Sequence, residues 1–177
     1  MVLIIFGGLP GTGKTTIARE LARQIGAIHL RIDSIEQAIR DCSPDAVGLD
    51  EAGYRVAYAV AEDNLRVGRT VVADSVNPLQ ITRDAWLEVG RRAQAITMEI
   101  EIICSDSREH RARVETRRPD ILGLSPPSWE QVISREYHPW DREHIVIDTA
   151  NRSLEQNIKT LREALSPQIG RRHIPPE

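Results

Sequence analysis

Residues 2–16 read VLIIFGGLPGTGKTT, an apolar run followed directly by a glycine, four further residues and then Gly-Lys-Thr. The spacing from Gly8 to Thr15 is the phosphate-binding loop pattern. Its glycines let consecutive backbone N–H groups turn towards a phosphate, and the next helix presents its partially positive N-terminus to the same anion. We therefore predict a nucleoside triphosphate site. Lys14 is expected to be exposed there and to reach the β- and γ-phosphates, while the Thr15 hydroxyl ligates Mg²⁺.

The length and composition of the chain limit the kinds of protein that it can be. A length of 177 residues fits one domain, which we assign to residues 1–165. The net charge of −3 gives no nucleic-acid signature over the whole chain, although a local basic patch is compatible with it. Cys42 and Cys104 match no metal or redox spacing, and no apolar run approaches the ~20 residues of a membrane span. We expect a cytoplasmic protein without a membrane partner.

Apolar runs alternate with segments of helical periodicity along the chain, which is typical of a parallel α/β sheet. The predicted strands cover about 2–6, 28–32, 70–73, 98–104 and 144–148. The segment 166–177, which contains three prolines, is expected to be a mobile C-terminal tail.

Several polar residues are placed to begin the intervening helices. Asp50 can cap a long helix, Asn77 can cap the next helix or touch substrate, and Asp106 can begin an arginine-rich helix. Ser128 and Ser153 each stand three residues before a glutamine, which is the capping-box spacing.

Two aspartates follow predicted strands, and ligands of open α/β sheets bind beyond the carboxyl ends of the strands. Asp74 ends an apolar strand, as does the carboxylate that orients Mg²⁺ in phosphate-loop enzymes. We predict that it binds the metal together with Thr15, and the alternative is a turn residue or a helix cap. Asp33 is interpreted either as the base that accepts the proton of an attacking hydroxyl or as the cap of a helix beginning at Ser34.

Five arginines crowd one predicted helix and its end: Arg108, Arg111, Arg113, Arg117 and Arg118. Guanidinium groups stabilise the negative charge that phosphoryl transfer places on oxygen atoms. Arg113 and Arg117 are four residues apart and would share a helix face, which suits one near the base and one at the phosphates. The alternative is a solvated helix. The segment over about 106–137, with a loop at 119–127, is predicted to be a lid that excludes water.

The other conspicuous side chains are interpreted as structural. His29 is expected to be half-buried in the second strand, and the remaining histidines form no ligand spacing. Trp86 and Trp129 are expected in the core, while residues 137–140 either pack or flank the pocket for the nucleotide base.

The chain resembles the small P-loop kinases, a superfamily of nucleotide, shikimate, gluconate and adenylylsulfate kinases. Its first half is most similar to the phosphate-loop domain of phage-type polynucleotide 5′-hydroxyl kinases. The segments that carry this resemblance are residues 8–16, residues 31–34 with Arg40, and residues 73–77. The later segments that look like a bacterial branch of uncharacterised kinase-like proteins are residues 113–117, 127–129 and 137–150.

The resemblance implies a three-layer α/β P-loop kinase fold, with a five-stranded parallel sheet in the order 2-3-1-4-5, ATP at the loop and a helical lid above. It implies Asp33 as the base, Arg113 against the adenine and Arg117 on the phosphates, with Thr149 and Ala150 beside the adenine. The predicted catalytic residues are Lys14, Asp33 and Arg117, and the predicted metal-binding residues are Thr15 and Asp74. The predicted nucleotide-binding residues are Gly8, Leu9, Pro10, Gly11, Thr12, Gly13, Lys14, Thr15, Thr16, Arg113, Thr149 and Ala150.

These features predict a Mg²⁺-dependent kinase that moves the γ-phosphate of ATP to a hydroxyl group of a small molecule. One alternative is a polynucleotide 5′-hydroxyl kinase, against which the acidic overall charge counts. Another is an ATPase or nucleotide-dependent switch without a phosphate acceptor, against which the lid-like segment counts.

Overall fold

Residues 1–42 and 49–169 are described by the computed structural model, with side chains described over 1–42 and 51–166. Five parallel strands form a sheet in the order β2-β3-β1-β4-β5. These strands are β1 (Val2–Gly7), β2 (Ile28–Arg31), β3 (Val71–Asp74), β4 (Ile96–Ile103) and β5 (Ile145–Asp148). The predicted α/β fold and strand order are confirmed.

Helices connect the strands and cover both faces of the sheet. Within the described ranges they are α1 (Lys14–Ile25), α2 (Ile32–Cys42), α3 (Leu49–Arg66), α4 (Gln80–Arg92), α5 (Ser107–Thr116), α6 (Trp129–Ile133) and α7 (Leu154–Ile169). The last helix extends to Ile169, into the segment expected to be a mobile tail, while residues 170–177 lie outside the described residues. None of the helices in the described ranges is both long and apolar enough to span a bilayer.

The central strand β1 is buried along its whole length, which explains its uninterrupted apolar sequence. On one face, Ile4 and Phe6 pack against apolar residues of α1 and α7. On the other face, Leu3 and Ile5 pack against α3 and α4. Trp86 of α4 is fully buried in this second cluster, so its expected core position is confirmed.

Three of the predicted helix caps are confirmed. The Asp106 side chain accepts hydrogen bonds from two backbone N–H groups of α5. Ser128 forms a capping box with Gln131, and Ser153 exchanges the same pair of hydrogen bonds with Gln156 before α7. Capping-box spacing was therefore a reliable signal in this chain.

Two other predicted caps are wrong. Asp50 lies inside α3, whose described part begins at Leu49. Asn77 precedes α4 by several residues, is fully buried and has a φ of 47°, and its Nδ2 donates to the Phe6 carbonyl at 2.7 Å. Asn77 therefore ties the segment after β3 to the end of β1 instead of beginning a helix.

Candidate active site

The segment between β1 and α1 forms a tight loop at the carboxyl edge of the sheet. Gly8 has a φ of 133°, and a Cβ atom there would lie 2.2 Å from the carbonyl oxygen of Ile102. Gly11 has a φ of 86°, and a Cβ atom there would lie 2.4 Å from the Val114 side chain of α5. Both positions therefore require glycine for two reasons, the left-handed backbone and the close neighbours.

Side chains from distant elements hold this loop in place. His110 of α5 lies with Nε2 2.8 Å from the Pro10 carbonyl, so Nε2 must carry the proton that it donates. The Thr12 hydroxyl donates to the Leu9 carbonyl at 2.9 Å, and Thr149 Oγ1 lies 2.8 Å from the Thr12 carbonyl. These protein contacts hold the loop in one conformation, which is what a preorganised phosphate site requires.

Lys14 is not exposed, contrary to the prediction. Its residue is 7% exposed, and Nζ lies 3.4 Å from Oδ1 of Asp74 at the end of β3. The Thr15 hydroxyl donates to the same oxygen at 3.3 Å. The three residues that were predicted to meet the phosphates and the metal are therefore brought together by the fold.

Asp74 is 1% exposed, and a third partner reaches it from β2. His29 Nε2 lies 3.2 Å from Oδ2 of Asp74. Burial alone would raise the pKa of Asp74, but the charge of Lys14 and the hydrogen bonds from His29 and Thr15 lower this pKa to about 2. The carboxylate is therefore ionised at neutral pH and acts only as an acceptor.

Asp33 lies in the first turn of α2, because β2 ends at Arg31 and the helix begins at Ile32. It is not the residue before the helix, so the capping alternative as stated is wrong. Its side chain is 33% exposed and borders the cleft, with Oδ2 3.5 Å from a guanidinium nitrogen of Arg31. The carboxylate is therefore accessible to a ligand in the cleft.

The loop that follows α5 is fastened across the cleft by Asp120. Arg31 donates to both carboxylate oxygens of Asp120, at 2.9 and 3.1 Å, and Arg19 of α1 donates to Oδ2 at 2.6 Å. These hydrogen bonds from Arg31 and Arg19 lower the pKa of Asp120. Arg31 is itself 7% exposed, so Asp120 neutralises a guanidinium that is buried at the end of β2.

Asp120→Asn should loosen this loop, since it removes the negative charge but keeps the shape. A hydrogen bond to a charged group contributes about 1.5–3 kcal/mol, so we expect amide hydrogens of residues 117–127 to exchange at least about tenfold faster. Hydrogen exchange followed by mass spectrometry measures this rate. The matched control is Asp141→Asn, which alters an exposed aspartate that accepts a hydrogen bond from Gln80 outside the loop. Unchanged exchange in Asp120→Asn would show that Asp120 does not fasten the loop.

The two candidate lid arginines differ in their surroundings. Arg113 of α5 donates to Thr149 Oγ1 at 2.8 Å, to the Thr149 carbonyl at 3.0 Å and to Glu109 at 2.6 Å. Arg117 follows the end of α5 and forms no hydrogen bond or ion pair with the described residues. The two therefore do not share one helix face as predicted, yet both side chains line the cleft.

The cleft has a volume of about 1640 Å³ and runs from the turn after β5 to the amino-terminal end of α4. The predicted nucleotide-binding residues that line it are Leu9, Pro10, Gly11, Gly13, Lys14, Thr15, Thr16, Arg113 and Thr149. The predicted site residues that do not line it are Gly8, Thr12, Asp74 and Ala150. Asp74 is shielded from the cleft by Lys14 and Thr15, which contact it directly.

Two residues that contact the site were not predicted to do so. His29 was interpreted as structural, and no contact was predicted for the side chain of Arg31. His29 and Arg31 are two residues apart in β2, a spacing that puts both side chains on one face of the strand. His29 then meets Asp74, and Arg31 meets Asp120. This period-two spacing just before Asp33 was the signal that could have identified them.

Known proteins match parts of this sequence. The sequence profile of a family described as an AAA domain matches residues 3–121. Uncharacterised proteins of Mycobacterium tuberculosis and Mycobacterium bovis are 36% identical over 75 residues, which is 40% of this chain and 15% of those proteins. The chain thus spans only a small part of the curated relatives it matches.

Solved structures share the fold at low sequence identity. The adenylylsulfate (APS) kinase CysC of Mycobacterium tuberculosis, solved with AMPPNP and APS, has a TM-score of 0.69 at 16% identity, covering 93% of this chain and 97% of that chain. A gluconokinase of Sinorhizobium meliloti has a TM-score of 0.61 at 16% identity, covering 94% and 97%. Kti12 of Chaetomium thermophilum, solved with ADP-AlF3, has a TM-score of 0.63 at 21% identity, covering 92% and 98%.

The profile match covers more than half of the chain and includes the phosphate loop, Asp33, Asp74 and Asp120. The sheet order and the loop between β1 and α1 are those of the P-loop kinase fold. The chain belongs to the AAA domain family and has the fold of the small P-loop kinases.

Proposed function

We propose that this protein transfers the γ-phosphate of ATP to a hydroxyl group of a small molecule in a Mg²⁺-dependent reaction. The observation that carries the proposal is the cleft itself. It is lined by the phosphate loop, by an accessible carboxylate at Asp33 and by Arg117, whose guanidinium has no ion-pair partner among the described residues. Phosphoryl transfer needs these three elements, because positioning and charge stabilisation supply most of the catalysis.

Each of these residues has a distinct task in the proposed reaction. The backbone N–H groups of the loop and Lys14 bind the phosphates, with Lys14 exchanging its contact to Asp74 for one to the triphosphate. Asp33 accepts the proton of the attacking hydroxyl. Arg117 stabilises the charge that grows on the transferred group, and closure of the loop fastened by Asp120 excludes water.

The oxygen atoms of Thr15 and Asp74 are of the type that Mg²⁺ prefers, and they lie 3.3 Å apart. Within the described ranges, no group of three or more histidine, cysteine, aspartate or glutamate residues could hold a metal ion. This fits a cation whose remaining ligands are water and phosphate oxygens, as is usual for Mg²⁺. When bound, Mg²⁺ neutralises charge on the phosphates.

The end of the cleft near α2, α3 and the start of α4, which we call the acceptor end, favours a small molecule over a polynucleotide as the phosphate acceptor. Arg40 is paired with Glu36 at 4.0 Å, and Arg55 is paired with Glu51 at 3.7 Å. Apolar side chains also line this end, among them Val76, Leu79 and Ile81. Binding of a polynucleotide depends on lysine and arginine charges that neutralise successive phosphates. The carboxylates beside Arg40 and Arg55, together with the apolar side chains, count against such binding at this end.

The proposal is tested first by ligand-dependent thermal unfolding. Mg-ATP at ~100 times its dissociation constant should add ~2.7 kcal/mol of stability, which for a chain of this size is a rise in Tm of roughly 5–10 °C. Labelled ATP is then offered with hydroxyl-bearing metabolites and, separately, with 5′-hydroxyl oligonucleotides. An unchanged Tm with ATP and with GTP, each with Mg²⁺, contradicts triphosphate binding. Transfer to oligonucleotides alone would replace the proposed acceptor, and hydrolysis without any acceptor would favour the ATPase alternative.

Arg117→Ala should reduce turnover more than nucleotide affinity, because the charge that it stabilises grows only in the transition state. Loss of one such group typically lowers kcat by ~10²–10³. Arg108→Ala is the matched control, since Arg108 lies on α5 but is exposed and does not line the cleft. Equal kcat values for wild type and Arg117→Ala would remove Arg117 from the mechanism.

A further inference from the structure

We propose that His29 is a positioning residue, which holds the Asp74 carboxylate in the orientation needed by a divalent cation bound with the nucleotide. This inference rests on the proposed function, because it concerns the metal of the same site. His29 does not line the cleft, so its effect would pass through Asp74.

The two oxygens of Asp74 have separate surroundings. Oδ1 faces the nucleotide side, with Lys14 Nζ at 3.4 Å and Thr15 Oγ1 at 3.3 Å. Oδ2 faces β2, where His29 Nε2 at 3.2 Å is its hydrogen-bond partner among the described residues. Lys14 and Thr15 both contact Oδ1 and neither contacts Oδ2. The bond from His29 therefore holds the oxygen that these two residues leave without a donor.

The direction of this hydrogen bond follows from the charge of Asp74. The ionised carboxylate has no proton to donate, so His29 Nε2 must carry the hydrogen. The Nε2-protonated neutral ring and the doubly protonated ring both meet this requirement. Lys14 contacts Oδ1, so it does not replace a donor at Oδ2.

Removal of this donor leaves Oδ2 buried without a partner, which is unfavourable enough for the carboxylate to rotate. Rotation would turn Oδ2 towards Lys14 and Thr15 and displace Oδ1, the oxygen on the side where the cation would bind. Hydrogen bonds that orient a metal-binding carboxylate typically change metal affinity by 10- to 100-fold when they are lost. The triphosphate contacts of the loop backbone do not involve His29.

The test measures the Mg²⁺ concentration that gives half of the maximal ATP-dependent rise in Tm. His29→Ala should raise that concentration by about 10- to 100-fold, while the affinity for ATP measured in EDTA stays unchanged. His29→Gln should largely restore the wild-type value, because its side-chain amide places an N–H donor near the position of Nε2. Mn²⁺ binding in the presence of ATP, followed by electron paramagnetic resonance, gives a second measure of the cation affinity.

His144→Ala is the matched control, since His144 also contacts a carboxylate, with Nε2 3.3 Å from Glu101 Oε2, but neither residue lines the cleft. A wild-type protein whose ATP-dependent stabilisation ignores Mg²⁺ contradicts the metal part of the proposed function, not the role of His29 alone. If wild type responds to Mg²⁺ and His29→Ala responds equally, the inference is overturned. An effect that His29→Gln fails to restore, or that His144→Ala reproduces, also overturns it.

Discussion

Asp33→Asn is expected to give a protein that folds and binds Mg-ATP but transfers almost no phosphate. Asparagine keeps the shape of aspartate but cannot take the proton of the acceptor, and loss of a positioned general base typically lowers the rate by ~10²–10⁴. Stability should change by less than about 1 kcal/mol, because Arg31 keeps both of its closer bonds to Asp120. Transfer from labelled ATP and the Mg-ATP-dependent rise in Tm measure the two properties separately.

The matched control for this variant is Asp41→Asn. Asp41 lies on the same helix, accepts a hydrogen bond from Gln37 at 2.8 Å and does not line the cleft. Its substitution should leave transfer unchanged. Transfer by Asp33→Asn at nearly the wild-type rate would mean that Asp33 is not the base.

Lys14→Ala should abolish the ATP-dependent rise in Tm and also destabilise the protein without ligand. The second effect arises because Lys14 is buried and pairs with Asp74, so its loss leaves a buried carboxylate without its nearest cation. Breaking a buried ion pair costs roughly 3–5 kcal/mol, and we expect the lower end because His29 and Thr15 still donate to Asp74. Thermal unfolding should show a fall in Tm of roughly 6–12 °C.

A double variant separates the two effects. Lys14→Ala combined with Asp74→Asn removes the uncompensated charge, so much of the lost stability should return while triphosphate binding stays absent. Lys159→Ala is the control for loss of a lysine, since Lys159 is exposed on α7. Normal ATP-dependent stabilisation of Lys14→Ala would contradict the role of Lys14 at the phosphates.

The features that could be predicted from the sequence are those encoded in short segments. The uninterrupted apolar run of β1 predicts that the strand is buried on both faces. The phosphate loop pattern predicts the glycine conformations that the loop adopts. The capping boxes at Ser128 and Ser153 could be predicted because both partners of each hydrogen bond lie within four consecutive residues. The strand order was predicted from the family resemblance, because the local sequence of a strand contains little information about which distant strand it pairs with.

The features that could not be predicted depend on partners far along the chain. Lys14 was expected to be exposed because the local pattern indicates only its contact with a triphosphate. Asp74, sixty residues along the chain, contacts the side chain, which is buried. Asn77 precedes a proline, which is typical of a helix cap, but its side chain donates a hydrogen bond to the Phe6 carbonyl instead. Asp120 sits in a loop of unremarkable composition, and only the fold reveals that Arg31 and Arg19 converge on it.

The contact between Gly11 and α5 has a consequence for how the protein moves. Val114 and His110 are packed onto the phosphate loop, and Trp129 of α6 meets His110 edge to face at 5.1 Å. These contacts couple the two helices to the phosphate loop. Residues 117–128 between them are then the segment that can move once the hydrogen bonds to Asp120 break. Opening and closing would be a short-loop motion on the nanosecond to microsecond scale, faster than the hinge motions of whole domains. Opening of the loop would accordingly require the hydrogen bonds of Asp120 with Arg31 and Arg19 to break, and not the displacement of a large lid.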